Sequence, residues 1–205
     1  MKRLVLLGGG HAHCAVLAYF ARQRGESDVE LVLVSPWRHA VYSGMVPGWM
    51  AGDYRFEECR IDLALQAKRA GARHIVDRAM AVQAGARRVV LEDGGSLDYD
   101  LLSLNVGSVA ALAGLEGAEQ GIALRPIESM QGALEQLDAR ARSGELRRLV
   151  VVGGGAAGVE VLLALNHRLS MVAPGRFKAA LVADTRELLP DHGRHPREMV
   201  RKLIE

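Results

Sequence analysis

Cysteine is nearly absent. The 205 residues contain two, Cys14 and Cys59, far apart and in neither a C-x-x-C nor a zinc-type spacing. One disulfide stays open by count, but this usage fits a cytoplasmic chain with reduced thiols. Charge of one sign is also lacking: 26 basic residues face 24 acidic ones, for a net +2. The basic residues are scattered, and pairs such as Arg87–Arg88 and Arg147–Arg148 read as solvated faces. Nothing in this balance argues for a nucleic-acid partner or an anionic membrane surface. A long hydrophobic run is missing too. Leu149–Leu165 spans 17 residues but holds four glycines and Glu160, too short and too interrupted for a membrane helix. Met1–Leu7 opens like a secretory signal, with Lys2 and Arg3 ahead of apolar residues. Three glycines, His11 and His13 then break the pattern, and a buried first strand explains it better. Aromatics make up only 4%, yet Trp37, Tyr42 and Trp49 fall together in Pro36–Asp53. That segment has no clean period and reads either as an irregular packing loop or as a cover for a flat ligand.

Glycine is what the chain does have, and it clusters twice. At Leu149–Glu160, LVVVGGGAAGVE, four apolar residues suggest a parallel strand buried on both faces. Gly153, Gly155 and Gly158 then complete G-x-G-x-x-G before a helix-compatible stretch, the context in which this motif points to a dinucleotide. The first glycine serves the turn, the second the approach of a pyrophosphate, and the third close helix–strand packing. Glu160 reads from its position as a solvated acid in the first turn. At Leu4–His13, LVLLGGGHAH, Gly8 and Gly10 match but His13 stands where the third glycine belongs. That departure implies wider helix–strand spacing or a histidine turned outwards. The second strand after this loop, Val29–Val34, ends at Ser35 rather than at the acid expected to hold a ribose. After the later loop, the strand Phe177–Ala183 ends at Asp184, where such an acid is expected, with Arg186 close enough to leave NADP open.

The length suits one or two domains. In order, the pattern predicts a strand over Lys2–Leu7 and a helix over Ala12–Arg22 ended by Gly25. Tyr54–Gly71 reads as helical and His74–Val76 and Met80–Val82 as short strands. Arg87–Glu92 and Leu97–Leu104 form a hairpin about Asp93-Gly94-Gly95-Ser96, and Val109–Gly121 is a connector. A helix over Pro126–Arg142 follows, then a helix from the second loop to about His167, a loop over Ser170–Gly175 and a helix over Pro196–Ile204. The last unit reads as strand, helix, strand, helix, short of a complete βαβαβ half, so the sequence is expected to be cut off at its C-terminus.

GGGHAH near the start, LDYDLLSLNVGS at Leu97–Ser108 and LVVVGGGAAGVE occur in the order found in flavoproteins with two dinucleotide-binding domains. The chain therefore resembles the pyridine nucleotide–disulfide oxidoreductase superfamily. YSGMVPGWMAGDY and the RPIE at Arg125–Glu128 are similar to its type II NADH dehydrogenase-like branch and to the domain fused to selenide, water dikinase. The resemblance implies an α/β fold: a Rossmann-like FAD-binding domain, with a parallel sheet and a β-hairpin or meander, then an incomplete NAD(P)-binding Rossmann domain. The expected divisions are 1–122 for the first segment of the FAD domain, 123–147 for a connecting helix and 148–205 for the start of the NAD(P) domain.

By the same resemblance, Gly8, Gly10, His11 and Ala12 would line the FAD pyrophosphate, with Ser35 and Pro36 beside its ribose. Met45, Val46 and Pro47 would approach the isoalloxazine ring, Met80 the adenine, and Gly107 the flavin nucleotide. Gly153, Gly155, Gly158, Glu160 and Asp184 would serve NAD(P)H. The implied activity is hydride transfer from NAD(P)H to FAD and onward to a small acceptor such as a quinone. The implied location is cytoplasmic or peripheral to a membrane. No residue is assigned as catalytic and no metal is expected. The alternatives are a sulfide:quinone oxidoreductase-like enzyme and a non-catalytic nucleotide-binding or interaction module. The redox cysteine pair of the disulfide reductases is missing: the matching loop is Tyr42-Ser43-Gly44-Met45-Val46-Pro47.

Overall fold

The computed structural model describes residues 1–23, 28–110, 112 and 114–204. These form two compact units, one of Met1–Tyr42 with Arg60–Glu128, the other of Ser43–Cys59 with Ser129–Glu205.

In the first unit, β1 (Lys2–Leu7), β2 (Val29–Ser35), β5 (Arg73–Val76) and β9 (Leu101–Leu104) make a parallel sheet in the order β5-β2-β1-β9. Its apolar runs face two ways, as the period of two in a strand requires. Leu6, Leu31 and Leu33 pack with Leu17 of α1 (His11–Arg22) and Leu63 of α3 (Leu63–Arg69). Val5, Leu7, Val32 and Val34 pack with Val89, Leu91 and Leu97 of an antiparallel sheet, β6 (Ala79–Gln83), β7 (Arg88–Leu91) and β8 (Ser96–Asp98). Both faces of the parallel sheet are thus covered, and the expected meander is the second cover. A short antiparallel pair, β3 (His39–Val41) and β4 (Arg60–Asp62), leads into α3. Asp62 caps α3, its Oδ1 accepting the Leu65 N–H at 2.9 Å.

In the second unit, β10 (Arg148–Val152) and β11 (Lys178–Val182) pair in parallel. The helix α5 (Ala156–Val172) packs on them and on α2 (Val46–Ala51) and α4 (Met130–Ser143). Seven α5 residues are buried, among them Gly158, Val159, Leu162 and Leu169. A salt bridge fixes its far end: Arg168 Nε and Nη2 donate to the Asp138 carboxylate at 2.9 and 2.6 Å, with Asp138 6% exposed. The helix α6 (Arg194–Ile204) buries none of its residues.

Several boundaries differ from the sequence pattern. Pro36–Asp53 is not irregular throughout: it contains β3 and α2, the latter closed by Gly52 at φ +99°. Tyr54–Gly71 is only partly helical, because β4 pairs with β3 before Asp62 starts α3. Leu97–Leu104 divides at Tyr99-Asp100, so that β8 stays in the meander and β9 crosses to the parallel sheet. There the Asp100 N–H donates to the Arg3 carbonyl at 3.0 Å. The helix expected from Pro126 begins at Met130 after a cis Arg125–Pro126 bond. The loop expected over Ser170–Gly175 starts late, since α5 continues to Val172. Gly25, read as the end of α1, lies outside the described residues.

Candidate functional site

Every glycine of the first loop has a close neighbour, which is backbone at Gly8 and the end of a side chain at Gly9 and Gly10. Gly8 sits at φ +92°, and a Cβ there would lie 2.1 Å from the Asn105 carbonyl oxygen. The chain leaving β9 presses its backbone onto the turn, so only glycine fits. A Cβ at Gly9 would meet Leu63 Cδ1 at 2.3 Å, and one at Gly10 the Asn105 carboxamide at 2.5 Å. Gly10 is the N-cap of α1 in extended conformation, φ −68° and ψ 173°, with no capping side chain and no acid in the first turn. The helix therefore presents free N–H groups and the positive end of its dipole, which favour an anion.

His13 is not turned outwards, and this corrects one of the two readings of that position. It is 1% exposed, with Nδ1 2.7 Å from the Gly8 carbonyl oxygen and Nε2 2.9 Å from Ser103 Oγ. A carbonyl only accepts, so Nδ1 carries the proton and Nε2 accepts from the Ser103 hydroxyl. Burial pushes the imidazole pKa below its usual value, against a smaller upward pull from the Gly8 contact.

Around this loop, His11 and Ala12 are exposed, and the His11 ring stands edge-on to Tyr42 with centroids 4.7 Å apart. Ser35 is 2% exposed and its Oγ accepts the Trp37 N–H at 3.3 Å, so this hydroxyl closes a turn at the end of β2. Pro36, half-buried, follows it. Gly107 lies two residues past Asn105, exposed and at φ +76°. Met80 is exposed on β6. Met45 and Pro47 lie at the start of α2, in the second unit. The loop thus brings together Gly8, Gly10, His11 and Ala12. Ser103 and Leu63, to which pattern reading gave no role at this loop, complete its walls together with Asn105, which belongs to the Leu97–Ser108 stretch matched to the family's flavin-side segment.

The second loop repeats the geometry. Gly155 caps α5 at φ −78° and ψ 179°, again with no capping side chain and no acid in the first turn. Nothing lies within 4 Å of where its Cβ would be, so the backbone is open to approach. Gly153 takes φ +124°, and a Cβ at Gly158 would fall 1.9 Å from the Gly153 carbonyl oxygen. Glu160 is exposed, but as the fifth residue of α5 it stands beyond the first turn, not within it. Asp184 is exposed just past β11. Arg186 lines a cleft of about 560 Å³ with Glu187, Arg194, Arg197, Glu198 and Arg201. Within it Arg194 pairs with Glu198 at 2.6 Å and Arg197 with Glu187.

Cys14 and Cys59 are both free, and burial is the main cause pushing each thiol pKa up. No cluster of three metal-ligating side chains occurs among the described residues. No helix among them is long and apolar enough to cross a membrane.

A family model described as pyridine nucleotide-disulphide oxidoreductase matches residues 2–205. The chain belongs to that family. An NADH dehydrogenase-like protein of Mycobacterium tuberculosis is 29% identical over 178 residues, covering 82% of this chain and 43% of the relative. The chain therefore spans less than half the length of the curated relatives it matches. Among solved structures, NDH2 from Plasmodium falciparum in complex with RYL-552 superposes with a TM-score of 0.80 at 13% identity, covering 98% of this chain and 45% of that one. The sulfide:quinone oxidoreductase of Aquifex aeolicus gives 0.75 at 17%, covering 99% and 48%. At these identities the likeness is one of fold. This member of the family is an α/β protein of the type expected, with a parallel sheet and meander followed by a second glycine-loop unit.

Proposed function

We propose that this family member is part of an FAD-dependent NAD(P)H oxidoreductase of the NADH dehydrogenase-like kind. The first loop takes FAD and the second takes NAD(P)H. The observation that carries the reading is the matched pair of glycine loops. Each follows a parallel strand, and each opens a helix whose N-cap is an extended glycine with no side chain on the free N–H groups. α2 and α4 also lack a capping side chain, but their N-caps, Met45 and Ser129, are already helical, so the extended glycine after a parallel strand is what sets these two helices apart.

With both dinucleotides bound, the chemistry is hydride transfer from nicotinamide to flavin and electron transfer onward to a quinone or other small acceptor. The residues of this chain bind and orient. The N–H groups about Gly10, His11 and Ala12 meet the FAD pyrophosphate, and those about Gly155 meet that of NAD(P)H. Asp184 accepts from the adenosine ribose, and Arg186 beside it is the group that would admit a 2′-phosphate. Ser35 contributes by position, at the end of β2, since its hydroxyl is engaged with Trp37. Met80, Gly107 and Pro36 border the FAD side, and Met45, Pro47 and Glu160 are assigned to the cofactors by family likeness. The divisions 1–122, 123–147 and 148–205 remain the functional reading, with Ser43–Cys59 packed into the second compact unit. A cytoplasmic or membrane-peripheral setting suits a soluble donor and a lipid-borne acceptor. Sulfide chemistry at Cys59 is disfavoured, because that thiol is 1% exposed and raised in pKa by burial.

The test is the visible spectrum of the purified chain reconstituted with FAD, before and after anaerobic NADH or NADPH. A flavin band that bleaches supports the reading. A protein that takes up no flavin refutes the assignment of the first loop.

A further inference from the structure

We propose that His13 is a positioning residue for the dinucleotide at the first loop, acting through the orientation of the Gly8–Gly9 peptide. This deepens the reading of that loop as the FAD site and rests on it.

The argument starts from the planar trans peptide, in which the carbonyl oxygen and the following N–H point in opposite directions. His13 Nδ1 holds the Gly8 carbonyl at 2.7 Å on the α1 side. The Gly9 N–H, which has no protein acceptor among the described residues, is thereby aimed to the opposite side. Ser103 on β9 fixes the ring from behind through Nε2 at 2.9 Å. The imidazole thus links the turn after β1, the first turn of α1 and the neighbouring strand. In the second loop the corresponding carbonyl, Gly153 O, also points at the helix, where Gly158 admits it without a Cβ. The positions match one for one: Gly8 with Gly153, Gly10 with Gly155, His13 with Gly158. One carbonyl orientation is held by close packing in the second loop and by a donated hydrogen bond in the first. His13 is therefore not a decayed glycine, and restoring glycine there would not restore the loop.

The experiment compares FAD affinity, by quenching of flavin fluorescence, for the wild-type chain, His13→Gly, His13→Asn, His13→Leu and Ser103→Ala, with far-ultraviolet circular dichroism as the fold control. The asparagine amide nitrogen lies as many bonds from the backbone as His Nδ1, so His13→Asn keeps the donor to Gly8. His13→Gly and His13→Leu are expected to weaken FAD about tenfold or more, the size of a buried hydrogen bond left unmade. His13→Asn is expected to recover to within about threefold of wild type, and Ser103→Ala to fall between. Nitrogen NMR of the imidazole should show the neutral Nδ1–H form. Should His13→Gly fail to fold, the asparagine and leucine variants decide. Wild-type affinity in His13→Gly overturns the proposal, as does equal loss in asparagine and leucine. A wild-type chain that binds no FAD overturns the reading of the loop itself, and this proposal with it.

Discussion

A Cβ at Gly158 would lie 1.9 Å from the carbonyl oxygen of Gly153, whereas the matching carbonyl of Gly8 accepts from an imidazole at 2.7 Å. The first loop is crowded on every glycine, by Asn105, Leu63 and the Asn105 carboxamide in turn. The second is open at Gly153 and Gly155 and tight only at Gly154 and Gly158. The sheets differ in the same sense. In the first unit α1 and α3 cover one face and the meander covers the other. In the second, Leu149 and Val151 are buried while Val150, Val152 and Val182 are more than half exposed. The same motif can therefore be locked by neighbouring strands or left to the glycines alone.

Alanine at the tight points breaks the comparison most sharply. Gly8→Ala combines a left-handed φ with a clash against backbone, and Gly158→Ala puts a methyl into a carbonyl oxygen. Each is expected to cost about 3–5 kcal/mol of unfolding free energy. Gly153→Ala meets no neighbour and pays only backbone strain, about 1–2 kcal/mol. Urea titration of the three variants checks this, and equal losses at Gly8 and Gly153 would mean that the crowding at the first loop relaxes freely.

The anchors of the two loop helices come next. His13 ties α1 to β9, while Arg168 ties α5 to Asp138 of α4. Asp138→Ala leaves a partly buried guanidinium without its partner, and about 3 kcal/mol of stability should be lost. Calorimetry reads it, and a loss below about 1 kcal/mol would show that water replaces the carboxylate.

Gly155→Ala separates binding from folding. Its Cβ meets nothing, so stability should move by less than about 1 kcal/mol. The methyl stands where a pyrophosphate would approach, and affinity for NADH should drop about tenfold. Unchanged affinity would remove the second loop from nucleotide binding.

Both loops, the strands they follow and the meander were legible in the sequence, because glycine spacing and apolar runs are local signals. Their differences were not. The burial of His13 depends on Ser103, ninety positions later, and nothing near His13 announces that partner. Ser35 stands where a ribose acid is expected, yet its hydroxyl turns to the Trp37 N–H, as short polar side chains in turns do. Tyr54–Gly71 misled because β4 exists only through its pairing with β3. Leu97–Leu104 misled because one apolar run serves two sheets.

The smallest expected effect uses pH to tell the loops apart. His13 is held neutral, its pKa lowered chiefly by burial from the ordinary histidine value of 6.5. Below that value the unfolded chain binds a proton that the folded one resists, so stability falls as pH drops from 6.5 and levels off below the folded pKa. His74, also lowered by burial, acts in the same direction and in the same unit. Asp62 and Asp98 have lowered pKa values, through a backbone N–H and Arg88 respectively, and lose their contributions only at more acid pH, below the carboxylate range. The slope assignable to His13 stays below the roughly 1.4 kcal/mol per pH unit of one full proton, and His13→Asn should remove it. Gly158, at the matching position of the second loop, cannot titrate. Amide hydrogen exchange, corrected for its intrinsic pH dependence, should therefore show α1 opening more easily at pH about 5.5 than at about 7.5, either side of the ordinary histidine value, while α5 holds. Parallel loosening of both helices would assign the effect to the whole chain rather than to the imidazole under the first loop.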